Sequence, residues 1–223
     1  MPQFKVAVIV GSLRKKSLTR KVAKAMMSVA PENLSCSFVE IGDLPLYNED
    51  LDENPPASWT RFRSEVGSHD AMLFLTPEYN RSLSGCLKNA VDVGSRPGGE
   101  NSFDGKPAGV VSVTPYKLGA FGANHALRQT FVYLNIPVMQ QPEAYVSDAA
   151  NLFDGRDDIK QRDTREFFTK YMAAFARWVE TIVSASRRED FKAFMKQRET
   201  VAAAYVSGDS APLDAIVPRS GEA

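Results

Sequence analysis

The sequence predicts an α/β protein whose parallel sheet is covered by helices on both faces, and three observations predict it. Apolar, β-branched runs alternate five times with segments whose apolar residues recur at helical spacing. The runs "FKVAVIV" (4–10), "DAMLFLT" (70–76) and "PAGVVSV" (107–113) show almost no polar alternation, as expected of strands buried on both faces. The chain of 223 residues, 43% apolar and 24% charged, has enough material for a sizeable core.

The elements follow in order. After the first strand, Leu18, Val22, Ala25, Met26 and Val29 mark a helix over 18–30. "SCSFVEI" (35–41) reads as the second strand. Residues 42–57 are rich in Pro, Asp, Glu and Asn and read as a surface loop; a helix is expected over 58–67. The third strand ends at Pro77, which fixes its own φ and has no amide to donate. A helical pattern resumes over 83–94, and "GGENSFDGK" (98–106) is turn-rich. A helix is expected over about 122–135 after the fourth strand, and "PVMQQPEAYV" (137–146) offers a short fifth strand. A long amphipathic helix over 159–186 places Phe167, Tyr171, Ala174, Phe175, Trp178 and Ile182 on one stripe. Five strands with right-handed crossovers favour the order 2-1-3-4-5, a flavodoxin-like three-layer sandwich. The tail, 187–223, starts as a helix and ends in turn residues. It is expected to be a C-terminal helical extension, partly mobile, with no activity assigned to it.

Composition narrows the function classes. Lys plus Arg equals Asp plus Glu at 27 each, so no global charge draws the chain to nucleic acid or to a membrane surface. Cys36 and Cys86 make no CxxC pair, and with His69 and His125 they make no metal spacing; a reducing cytoplasm suits them. The first apolar run is too short for a signal peptide, and no stretch approaches a membrane span.

In an open α/β sheet, ligands sit outside the carboxyl ends of the strands, where the strand order reverses. The loop "GSLRKKS" (11–17) leaves the first strand there and feeds a helix N-terminus, whose free amides and dipole favour an anion. Gly11 lets the chain turn close to a ligand, Ser12, Ser17 and Thr19 can donate hydroxyl hydrogen bonds, and Arg14 can offer a bidentate fork to phosphate. Neither G-x-G-x-x-G nor a P-loop is present. A monophosphate held by hydroxyls, an arginine and amides is one reading; a serine N-cap with solvated cations is the other. The loop "PEYNRS" (77–82) leaves the third strand beside it. It reads either as a rigid turn aiming backbone groups at a heterocycle, with Tyr79 against the ring face and Asn80 tolerating unusual angles, or as a plain strand-to-helix turn capped by Ser82 or Ser84. In that plain reading Lys88, Asn89 and Asp92 face solvent or an interface.

Together the two loops resemble those of the NADPH-dependent FMN reductases, in the branch of quinone, chromate and azo-dye reductases. The motif G-S-x-R-x-x-S is met at Gly11-Ser12-Leu13-Arg14-Lys15-Lys16-Ser17. P-E-Y-N is met at Pro77-Glu78-Tyr79-Asn80, G-x-L-K-N-A-x-D at Gly85 to Asp92, and S-R-P at Ser95-Arg96-Pro97. The resemblance covers roughly residues 4–185 and makes 1–186 the FMN-binding domain. It implies non-covalent FMN, with its phosphate at Ser12, Arg14, Ser17, Leu18 and Thr19 and its isoalloxazine along Pro77, Glu78, Tyr79 and Asn80. A third loop would bring Ser112 or Thr114 to the flavin; Pro115, Tyr116 and Lys117 depart from the small residues usual there, and Tyr116 would narrow the substrate pocket. Val93 stands where relatives often carry an aromatic. The implied activity is ping-pong hydride transfer from NADPH or NADH to FMN N5, and then to a quinone, flavin or similar acceptor. The chemistry belongs to the cofactor and no catalytic side chain is named. A homodimer or homotetramer is implied as well. The competing reading is a flavodoxin-type electron carrier or regulatory flavin-binding module without turnover; Arg14 and the even charge balance favour the reductase.

Overall fold

Five strands lie side by side in one parallel sheet in the order β2-β1-β3-β4-β5 in a computed structural model that describes residues 3–154, 158–186 and 196. The strands are β1 (Phe4–Val10), β2 (Leu34–Phe38), β3 (Ala71–Thr76), β4 (Ala108–Val113) and β5 (Ala144–Val146). The helices are α1 (Leu18–Met27), α2 (Ala57–Gly67), α3 (Gly85–Gly94), α4 (Phe121–Tyr133) and α5 (Arg162–Ser186). The chain divides into two units, Met1–Ile182 and Val183–Ala223. The extension expected over 187–223 lies, residue 196 apart, outside the described residues.

Burial follows the sheet order. Every residue of β3 and β4 is buried, and in β1 only Lys5 is exposed. β2 is an edge strand and alternates between buried, half-buried and exposed positions. On one face Ala7, Ile9, Met72, Phe74 and Val110 pack with Trp59 and Phe62 of α2, Leu87 and Val91 of α3, and Leu127 and Phe131 of α4. On the other face α5 brings Tyr171 and Phe175 so close to Gly109 that a Cβ there would lie 3.0 Å from the Tyr171 hydroxyl. That hydroxyl donates to the Val110 carbonyl at 3.1 Å, satisfying a fully buried polar atom.

Three expectations are refined. The buried stripe of α5 is Phe168, Tyr171, Met172, Phe175, Ala176, Val179 and Val183. Tyr171 and Phe175 were placed correctly, but Phe167, Ala174, Trp178 and Ile182 are only half-buried. Trp178 lies at the margin because its indole N–H donates to the Pro137 carbonyl at 2.9 Å. The last strand is confined to three residues, since Pro137 and Pro142 offer no amide to a ladder; Val138 adds a single bridge to Ala108. The 42–57 segment is a surface loop, as expected, and it is pinned to the body. Tyr47 stacks on Trp59, whose indole N–H donates to the Pro45 carbonyl, and a 3-10 turn occupies Glu49–Leu51.

Candidate functional site

The strand register sets the site. Val10 of β1 pairs with Leu75 of β3, Thr76 with Ser112 of β4, and Val113 with Val146 of β5. The loops that follow β1, β3 and β4 therefore leave from one edge, across the point where the strand order reverses.

The first loop turns at Gly11, whose amide donates to the Leu75 carbonyl at 2.8 Å. A Cβ on Gly11 would sit 3.0 Å from both the Ser84 hydroxyl and Leu87 Cδ2, so the close approach to α3 needs the missing side chain. Ser17 is the N-cap of α1, its buried hydroxyl accepting from the Arg20 amide at 3.1 Å. The capping reading thus holds for Ser17, and its hydroxyl proton is still available to a ligand. Leu18 is half-buried and the Thr19 side chain is buried. What these two residues present is their backbone amides, the first of the helix, which have no intrahelical acceptor. Ser12 is half-buried; Arg14, Lys15 and Lys16 are exposed and have no carboxylate partner among the described residues. Hydroxyls, amides and a guanidinium all donate, and this donor-only set fits a phosphate dianion.

The second loop is a tight turn. Tyr79 and Ser82 exchange both backbone hydrogen bonds at 3.0 Å, and Asn80 and Arg81 between them have φ of 51° and 65°. Two successive left-handed residues make a type I′ geometry, which Asn enters readily and Arg does not. The Glu78 side chain turns away to α4, where its carboxylate accepts from the Ala123 amide at 3.0 Å and sits 3.6 Å from the Arg81 guanidinium. A carboxylate at a helix N-terminus is stabilised by the free amides and the dipole. Pro77 is half-buried and Tyr79 exposed.

Ser84 stands at the N-cap of α3, as the plain-turn reading has it, but its side chain makes no capping bond. Its buried hydroxyl donates to the Gly11 carbonyl at 2.6 Å and ties the second loop to the first. The plain-turn reading puts Asn89 on an exposed or interface face, but it is buried and anchors the 42–47 segment. It accepts from the Tyr47 amide at 2.8 Å and donates to the Leu44 and Pro45 carbonyls. Lys88 pairs with Asp92 one turn on. Asn89 lies inside the motif that runs from Gly85 to Asp92 and Ser84 just before it, but neither place names a partner.

The third loop separates its two candidates. Ser112 is wholly buried, and its hydroxyl donates to the Gly119 carbonyl at 2.6 Å, holding the loop from below. Thr114 lines a cleft of about 310 Å³ together with Glu78, Asn80, Arg81, Tyr116 and Leu118. A larger cleft of about 590 Å³ runs along the C-terminal turns of α3 and α4, which point back to the amino ends of the strands, and it includes none of the three loops' candidates. Among the described residues, no three His, Cys, Asp or Glu side chains gather as a metal site, and no helix is long and apolar enough to cross a membrane.

Known proteins resemble this chain. A quinone reductase of Pseudomonas putida is 56% identical over 177 residues, covering 79% of this chain and 95% of its own. A 2-hydroxy-1,4-benzoquinone reductase of a Burkholderia species is 40% identical over 176 residues, covering 79% and 96%. Among solved structures, FerB, a flavoenzyme NAD(P)H:(acceptor) oxidoreductase of Paracoccus denitrificans, superposes with a TM-score of 0.76 at 39% identity, covering 80% of this chain and 98% of its own. Residues 4–151 match the family described as NADPH-dependent FMN reductase, and with these relatives that match establishes that the chain belongs to it.

Proposed function

We propose that the chain is an FMN-containing NAD(P)H:quinone oxidoreductase. The observation that carries the reading is the 2.6 Å bond from the Ser84 hydroxyl to the Gly11 carbonyl, which fixes the phosphate loop and the ring loop as one crevice. The names of the Pseudomonas putida and Burkholderia relatives support a quinone as acceptor.

Arg14, the Ser12 and Ser17 hydroxyls and the Leu18 and Thr19 amides hold the FMN phosphate. The Pro77–Asn80 backbone frames the edge of the isoalloxazine, with Tyr79 against the ring. Thr114 reaches the site from the third loop, and Ser112 acts on it through the position of that loop. When bound, FMN supplies the hydride chemistry, accepting from NAD(P)H and delivering to the acceptor. The residues of this chain bind, orient and shield it.

A second copy of the chain completes the site in this reading, as a homodimer or homotetramer. Phe121, Val132 and Tyr133 of α4 are large and exposed, the kind of surface that association covers. The unpaired Cys36 and Cys86 agree with a cytoplasmic location. The purified protein should show flavin absorbance, oxidise NADPH or NADH faster when a quinone is added, and give parallel double-reciprocal plots. A bound flavin with no NAD(P)H oxidation would establish the carrier reading instead. Sedimentation velocity tests the oligomer.

A further inference from the structure

Resting on that reading, we propose that Arg81 sets acceptor specificity, selecting quinones that carry an ionised hydroxyl on the ring over neutral quinones.

The 310 Å³ cleft is lined by two unlike sets of residues. Tyr116 and Leu118, 76% and 63% exposed, form an apolar wall for a flat ring. Asn80, Thr114 and Arg81, whose side chain is 72% exposed, bring polar groups to the same cleft. Glu78 also lines the cleft, and a carboxylate there would repel an anion if its charge were unmatched. It is matched, because Glu78 accepts from Ala123 at the N-terminus of α4, where the helix dipole offsets it. Its separation of 3.6 Å from the Arg81 guanidinium is longer than a hydrogen bond, so the five guanidinium donors remain for a ligand.

The backbone fixes where that guanidinium starts. Arg81 sits at φ 65° in the second position of the two-residue turn, where glycine is the cheap choice and a side chain costs on the order of 1 kcal/mol. Its carbonyl is held against α4: a Cβ on Gly122 would come within 2.6 Å of that oxygen. Such a conformation persists only where its surroundings over-determine it. The loop that carries Tyr116 and Leu118 is fixed too. The third loop is tied at its base by Ser112 to Gly119, while the Tyr116 carbonyl accepts from the Asp148 amide at 3.4 Å.

A hydroxyl on a quinone ring is a vinylogous carboxylic acid and, like a carboxyl, is ionised at neutral pH. The geometry offers that oxyanion a bidentate guanidinium while the ring lies along Tyr116. Reduction of the quinone takes one hydride, supplied by NAD(P)H through FMN, and one proton from solvent. In the reduced product the ring hydroxyl is an ordinary phenol and takes up a second proton from solvent, so Arg81 recognises the oxidised quinone and takes no part in the electron balance.

The test uses the oxidised holoenzyme without NAD(P)H, so that binding is read without turnover. Perturbation of the flavin absorbance gives the Kd for 2-hydroxy-1,4-naphthoquinone and for 1,4-naphthoquinone in the wild type, Arg81→Lys, Arg81→Gln and Arg81→Gly, the last of which suits the turn and keeps the fold. The wild type should prefer the hydroxyquinone by about tenfold or more, as a charge-assisted contact warrants. That ratio should fall toward one in Arg81→Gln and Arg81→Gly and be partly kept in Arg81→Lys. Raising the salt should erode it in the wild type. No preference in the wild type, or a preference that survives Arg81→Gly, overturns the proposal. Failure of the wild type to reduce either quinone with NAD(P)H would instead overturn the underlying acceptor reading.

Discussion

The Ser84 hydroxyl donates to the Gly11 carbonyl across 2.6 Å, joining two loops 73 residues apart in the chain. Both groups are buried, so removing one leaves the other unsatisfied, at a cost of about 1–3 kcal/mol. Ser84→Ala should lower urea stability by that amount and also weaken FMN binding about tenfold, since the crevice is no longer held in one shape. Urea titration and flavin release on dialysis read the two effects separately; lost stability with unchanged flavin affinity would refute the role of this bond in the site.

Arg14 has a sharper signature. It is exposed and carries no fold contact among the described residues, so Arg14→Ala should leave the melting temperature of the apoprotein unchanged. FMN affinity should fall about 10- to 100-fold through loss of a charge-assisted contact. Riboflavin, which lacks the phosphate, should bind both proteins alike, and an equal loss for riboflavin would count against the phosphate assignment.

Asn89 holds the Leu44–Tyr47 segment with three hydrogen bonds while Tyr47 stacks on Trp59. Asn89→Ala should cost about 1–3 kcal/mol by leaving the Tyr47 amide and the loop carbonyls unpaired. Trp59 emission should change with it. Unchanged fluorescence and stability would show that the loop holds itself.

Gly122 lies under the turn that carries Arg81. A Cβ 2.6 Å from the Arg81 carbonyl meets backbone, which cannot swing aside. Gly122→Ala should displace the turn and reduce FMN affinity, with a loss of about 1–3 kcal/mol typical of overpacking. Calorimetry with and without FMN measures both.

The alkaline limb of stability has a stated direction. Burial pushes the Cys36 thiol from 9.0 up to about 11, and burial of Tyr171 holds its phenol far above its ordinary value of 10.0. In both cases the folded state disfavours the deprotonated form. The resulting stabilisation is complete below the unfolded values and is lost as pH rises through about 9 to 11 and beyond. Unfolding free energy should therefore fall above pH 9. Cys36 should alkylate slowly at pH 8.5 in the native protein and quickly in urea, and Tyr171→Phe should flatten the decline above pH 10. A stability flat to pH 11 would contradict the buried assignments.

The sheet was legible because its strands are continuous apolar runs, and right-handed crossovers leave few orders for five of them. The same logic placed the two loops at one edge. Partners of single side chains were not legible. The bond from Ser84 to Gly11, and that from Glu78 to Ala123, join segments far apart in sequence, which no local pattern records. The stripe of α5 was misread at its margin because Trp178 and Phe167 are apolar by type yet half-buried; the indole N–H of Trp178 needs an acceptor, and it finds one at Pro137. The fifth strand was too long in the reading because its prolines count as apolar but cannot donate.

The third loop is riveted at its root and bare at its crest. Ser112 grips Gly119, and a side chain on Gly119 would press to 2.7 Å from Tyr145 Cβ, while the Tyr116 and Leu118 side chains stand largely in solvent. Replacements at the crest remove little buried surface and leave the root untouched. Selection can therefore retune which oxidants this scaffold accepts at almost no thermodynamic penalty, and a library confined to positions 116 and 118 is the place to begin redirecting it.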